Sequence, residues 1–144
     1  MFRVRRADDT DIDDVSAMDL ECLPLDQAPP ITWDSYHWWV AEWRDGSSAP
    51  VPAGYAAMRP STRWSDAVYM ARAGVLPFAR GAGLQRRLLR TREACARRAG
   101  YLWAVTDTLN PRSMNSLIHA GYRAFEPSEP WAGGSTYWRK RLGN

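Results

Sequence analysis

Lysine is nearly missing from this 144-residue chain: of nineteen basic side chains only Lys140 is not arginine. Cysteine is scarce too. Cys22 and Cys95 are too few for a disulfide framework or a cysteine metal site, so both thiols are expected to be reduced, in a cytoplasmic setting. No apolar run approaches the roughly 18 residues that a membrane-spanning helix needs. The opening Met1-Phe2-Arg3-Val4-Arg5-Arg6 has no apolar stretch behind its charges and does not read as a secretory leader. Repeats, linkers and low-complexity stretches are absent as well, so residues 1–144 are expected to form one domain.

What is present is the composition of a folded protein, with 45% apolar and 24% charged residues. Charge is spread unevenly. Residues 1–45 carry four arginines against eleven acids, a net −7, and residues 46–144 carry fifteen basic groups against five acids, a net +10. An anionic ligand on the later part and a cationic one near the first would account for this; two solvated surfaces would as well.

Met1–Ala7 predicts a strand. Asp8 to Asp11 supply capping side chains for a helix carrying Ile12, Val15, Met18, Leu20 and Cys22. Trp39, Val40 and Trp43, at helical spacing, predict a second helix over 33–43. Strands follow at 53–58 and 67–76, with Gly74 a candidate bulge. Leu84, Leu88, Cys95 and Ala99 mark the strongest helix, ended by Gly100. A buried strand at 101–106, a helix capped by Asn110 with Pro111 in its first turn, and strands at 122–125 and 136–142 complete the chain. His37 and His119 read as helix-surface residues.

The segment that carries chemistry is Val75-Leu76-Pro77-Phe78-Ala79-Arg80-Gly81-Ala82-Gly83-Leu84. A strand ends, two spaced glycines follow, and a long helix opens behind them. Amide groups at a helix start converge on one spot with the positive end of the helix dipole, and glycine lets an anion approach without a Cβ in the way. A pyrophosphate suits that arrangement, although a tight turn ahead of a helix would look the same.

Together with Asn110, Ser113 and Gly121-Tyr122, the order strand, Val75-x-Pro77, Arg80-Gly81-Ala82-Gly83, Leu88-Leu89 resembles the GNAT family of N-acetyltransferases. The resemblance implies an α/β (α+β) fold: a mixed sheet of six or seven strands, two of them splayed at the acyl-CoA cleft, flanked by about four helices. It implies acetyl-CoA as co-substrate and no metal. Contacts to the coenzyme would come from Val75 and Leu76, from the loop residues Arg80, Gly81, Ala82, Gly83, Leu84, Gln85 and Arg86, and from Asn110 and Ser113. The amide of Val75 would polarise the thioester carbonyl. Two positions depart from the pattern. Phe78 stands where Gln or Arg is frequent, and Leu117 where many members carry a tyrosine acid for the leaving thiolate.

On the acceptor side, Met70-Ala71-Arg72-Ala73 offers no carboxylate, so the candidate bases are Glu21, Asp26 and Asp107. An α-amine with pKa near 8 is about a tenth neutral at pH 7, whereas a lysine amine near 10.4 is below about a thousandth. The missing base therefore favours the α-amine of an amino acid or peptide. Arg72, Trp33 and Trp131 are the candidate acceptor contacts, Arg72 for a carboxylate or, alternatively, for an acid of the first helices. A homodimer is common in such a family. Leu117 leaves a second reading open, an acyl-CoA-binding sensor without catalysis. Nucleic acid is disfavoured, because the arginine-rich helix at 84–99 has no interleaved aromatic residues.

Overall fold

The computed structural model describes residues 1–23 and 32–143. Seven strands hydrogen-bond in the order β1-β2-β3-β4-β5-β7-β6. The chain divides into two compact units, residues 1–59 with 71–91 and residues 60–70 with 92–144; strand β4 (Ala67–Val75) and helix α2 (Leu84–Arg98) contribute to both.

In the first unit β1 (Phe2–Arg6) lies antiparallel to β2 (His37–Trp43), Phe2 opposite Trp43 and Arg6 opposite Trp39. β2 in turn pairs with β3 (Val51–Pro60), where the register shifts between Ala41 and Glu42. Asp8 caps the turn that leads into helix α1 (Ile12–Cys22), accepting from the Thr10 amide, and Asp11 returns a bond from the Asp8 amide. Asp11 also takes both Nη groups of Arg5, at 2.8 and 2.9 Å.

That Arg5 pair, with the Asp8 amide behind it, holds the Asp11 carboxyl below the ordinary range. A depressed acid contributes stability above its unfolded pKa of about 3.9 and loses it as pH falls through the folded value. Asp11→Asn is expected to cost about 2 kcal/mol at pH 7. Urea unfolding of both proteins should show the difference shrinking as pH drops below about 4.

The predicted helix over 33–43 is instead a 3-10 turn at Trp33–Ser35 followed by β2. Trp38, Trp39, Val40, Ala41 and Glu42 are all buried, so both faces of this strand are covered and no polar helical face exists. Any continuous apolar run contains residues three and four apart, and aromatic and β-branched side chains fit a pleated surface better than a helix. His37 accordingly opens a strand, whereas His119 does end a helix. With that segment a strand, the described residues contain three α-helices.

Val15 and Met18 of α1 pack with Trp38, Val40, Tyr55 and Ala57 as the core of this unit. Gly74 has a steric role: a Cβ there would sit 2.7 Å from Cys22 Cβ and 2.7 Å from the Tyr55 ring.

In the second unit β4 runs parallel to β5 (Trp103–Thr108), from Ala67 opposite Trp103 to Tyr69 opposite Val105. Beyond that pair a side chain replaces the ladder, as Thr106 Oγ1 donates to the Met70 carbonyl at 2.7 Å. β7 (Thr136–Arg141) lies antiparallel to β5 and to β6 (Arg123–Phe125). α3 (Pro111–His119) is capped by Asn110, whose side chain accepts from the Arg112 amide at 2.9 Å. Buried Glu93 is satisfied by the Tyr122 hydroxyl at 2.8 Å and by Lys140 at 3.0 Å. Thus the one lysine is a structural partner.

Candidate active site

The end of β4 is anchored before the glycine loop begins. Leu76 N donates to Ala53 O at 2.8 Å, and Pro77–Ala79 form a 3-10 turn whose Ala79 is buried. The Val75 carbonyl accepts from Arg80 Nε at 3.3 Å, with Cys22 Sγ 3.9 Å from the same oxygen. Burial pushes the Cys22 thiol up, away from thiolate character.

Gly81 and Gly83 have φ of +86° and +78°, and a Cβ built at either meets no atom within 4 Å. The chain therefore keeps glycine here for backbone conformation and leaves open space on the loop's outer side. Arg87 N reaches Gly83 O at 3.1 Å, so the amides of residues 81–86 lie ahead of the first helical turn's ladder. Leu84 and Leu88, fully buried, seat the helix, while Gln85 and Arg86 are exposed. Residues 71–91 hold five arginines and no acid. The open glycines, the amides at a helix start and the positive charge fit a pyrophosphate.

Arg72 is placed on an acid of α1. Its Nη1 donates to Asp19 Oδ2 at 2.7 Å, and Asp19 Oδ1 accepts from the Tyr55 hydroxyl at 2.8 Å. The Arg72 side chain is only 9% exposed. Burial, and then the neighbouring Asp19 carboxylate, raise the Tyr55 hydroxyl far above its ordinary pKa, so it stays a donor. Sequence reading missed Asp19 and Tyr55. The available signal was position, since Asp19 borders the Val15, Met18 and Cys22 stripe of α1.

The remaining candidates divide clearly. Glu21 is exposed on α1 and Asp26 lies outside the described residues. Trp33 is packed flat on Trp38, with ring centroids 5.0 Å apart, and donates through Nε1 to Asp9 at 3.2 Å. Ser113 is half-buried in the first turn of α3, and Leu117, on the same helix, is buried. Asp107 is half-buried, and its Oδ1 accepts from the Tyr69 hydroxyl at 2.6 Å and from Trp131 Nε1 at 3.0 Å. Structure thus joins two of the sequence candidates, Asp107 and Trp131, and adds Tyr69, which was not foreseen. Among the described residues no group of three His, Cys, Asp or Glu could hold a metal, and no helix is long and apolar enough to cross a membrane.

A model of the acetyltransferase (GNAT) family matches residues 10–122. Solved structures with the same fold include the ribosomal-protein-S18-alanine N-acetyltransferase of Escherichia coli, at 13% identity and a TM-score of 0.76, covering 100% of this chain and 96% of that one. An acetyltransferase of the GNAT family from Staphylococcus aureus shares 9% identity with a TM-score of 0.78, covering 99% and 100%. The yncA protein of Salmonella typhimurium, solved with its cofactor acetyl-CoA, shares 20% with a TM-score of 0.70, covering 99% and 94%. No match is found among curated protein sequences. With a glycine loop at the end of β4, a long helix behind it and a family match over most of its length, the chain belongs to the acetyltransferase (GNAT) family and is a transferase enzyme.

Proposed function

We propose that the protein transfers the acetyl group of acetyl-CoA directly to the primary amine of an amino acid or peptide, with both substrates bound at once. The observation that carries this reading is the loop from Arg80 to Arg86, whose positive-φ glycines leave open space in front of a helix start. Arg80, Gly81, Ala82, Gly83, Leu84 and Gln85 would hold the pyrophosphate by main-chain amides, and Arg86 would add charge. The coenzyme brings the acetyl group as a thioester, already activated for attack by an amine. The chain then has to orient the thioester and polarise its carbonyl, the second task falling to the Val75 amide.

The acceptor must arrive with little help from a strong base. No carboxylate lies within 71–75, and an α-amine is neutral often enough near pH 8 to react without one. Nor is a dedicated acid needed at Leu117, because a thiol with pKa near 8.5 leaves acceptably as thiolate.

Thiol release from acetyl-CoA, measured against amino acid amides, peptides with free N-termini, N-blocked lysine peptides, polyamines and aminoglycosides, tests this reading. Turnover is expected with α-amines and to rise as pH climbs through about 8. Turnover confined to lysine peptides or aminoglycosides would overturn the acceptor class. Coenzyme binding without turnover across the panel would favour a sensor.

A further inference from the structure

Among the described residues Asp107 is a charge without a counter-charge. Both donors on its Oδ1 are neutral, Tyr69 Oη and Trp131 Nε1. No arginine, lysine or histidine among the described residues pairs with it. Its Oδ2 receives no donor from them, and the residue is half-buried. A half-buried carboxylate in this state is incompletely compensated, and a cation is what completes it.

Its surroundings are aromatic and held in place. Tyr137 stands opposite Asp107 across the β5–β7 ladder. Trp131 packs against Tyr137 at 4.6 Å, Trp64 at 6.0 Å and Tyr69 at 6.4 Å. The loop that carries Trp131 is fixed by Tyr137, whose hydroxyl donates to Ala132 O at 2.7 Å and accepts from Ala132 N at 3.0 Å. Trp131 already receives one cation, since the Arg63 guanidinium lies 5.0 Å from its ring centre. That guanidinium is tied to the Glu129 carbonyl at 2.9 Å and is not paired with Asp107.

We infer that Asp107, oriented by Tyr69 and Trp131, is a binding site for an organic ammonium group. The inference rests on the geometry of Asp107, Tyr69 and Trp131 alone. A lone carboxylate with aromatic walls suits an alkylammonium rather than a divalent metal, which would require several oxygen ligands. Tyr69 and Trp131 are positioning residues: each fixes Oδ1 and thereby aims Oδ2.

The test uses the full chain and two probes of one shape, butylammonium chloride and neutral butanol, followed by the indole N–H resonances in ¹⁵N-labelled protein. Trp131→Phe identifies the Trp131 signal. Butylammonium is expected to move that signal saturably, and butanol to leave it in place. Asp107→Asn should weaken the ammonium affinity about tenfold or more, the loss of one charge-assisted contact. Tyr69→Phe, which keeps the carboxylate, should weaken it less. Equal response to butanol, or ammonium binding unchanged in Asp107→Asn, would overturn the inference. Should Asp107→Asn fail to fold, the comparison of the two probes on the unmodified chain still decides. Calorimetry with acetyl-CoA on the same samples separates the two claims: coenzyme binding without an ammonium response sinks this inference alone, and an ammonium response without coenzyme binding sinks the proposed function alone.

Discussion

Gly83→Val is expected to cost the protein its hold on acetyl-CoA while leaving the fold standing. At φ +78° a β-branched residue is strained by about 1–2 kcal/mol, and the loop will relieve that strain by turning its amides away from their common focus. Because a Cβ built there meets no protein atom within 4 Å, the damage does not spread into the core. Each charge-assisted hydrogen bond from an amide to a phosphate contributes roughly 1.5–3 kcal/mol. Losing one or two therefore weakens the coenzyme by about a hundredfold, at 1.4 kcal/mol for each factor of ten. Gly81→Val, at φ +86°, should behave alike, and Gly83→Ala should lie between it and the unmodified protein. Calorimetry for affinity and urea unfolding for stability measure the two effects separately. A variant that lost stability and affinity in step would place Gly83 in the framework and not in the site.

The second large effect is expected at Asp19. Asp19→Ala strands the Arg72 guanidinium, 9% exposed, without the one carboxylate that pairs with it among the described residues, and removes the acceptor of the Tyr55 hydroxyl. Removing one partner of a buried ion pair costs about 3–5 kcal/mol. Arg72 keeps some access to solvent, so the lower end, about 3 kcal/mol, is the expectation. Asp19→Asn, which still offers an acceptor oxygen, should lose about half as much, and Tyr55→Phe about 1 kcal/mol. The denaturant midpoint should fall in that order with the slope unchanged. An Asp19→Ala protein as stable as the original would mean that Arg72 has another partner waiting.

These two predictions also separate what the sequence makes legible from what it hides. Asp8 as a cap, Asn110 with Pro111, and the long helix behind Gly83 were all readable, because capping and helical periodicity are local and involve residues a few positions apart. The glycine loop was readable for the same reason, since glycine at positive φ is a property of the residue itself. Trp33 to Trp43 was misread because β2 is covered on both faces, which erases the alternation that marks a strand. The surroundings of the residues weighed as acceptor contacts and bases were the least legible. Arg72 meets Asp19 across 53 positions, Tyr69 meets Asp107 across 38, and Trp131 meets Asp107 across 24. No spacing rule joins residues that far apart, so Arg72 could be given an acid of the first helices but not Asp19 itself, and Asp107 and Trp131 could be named singly but not as a pair. Arg72 on Asp19 also bears on its candidacy as a carboxylate binder, because a substrate acid would have to share the guanidinium with a carboxylate already in place.

The central claim is that this chain binds acetyl-CoA through its pyrophosphate at residues 80–86. The most direct test is a calorimetric comparison of acetyl-CoA with S-acetylpantetheine, which keeps the thioester and the pantetheine arm but lacks the pyrophosphate and the nucleotide. The account predicts that acetyl-CoA binds at least about a hundredfold more tightly, and that Gly83→Val removes most of that advantage. Equal affinity for the two compounds, or an advantage that survives Gly83→Val, would contradict it.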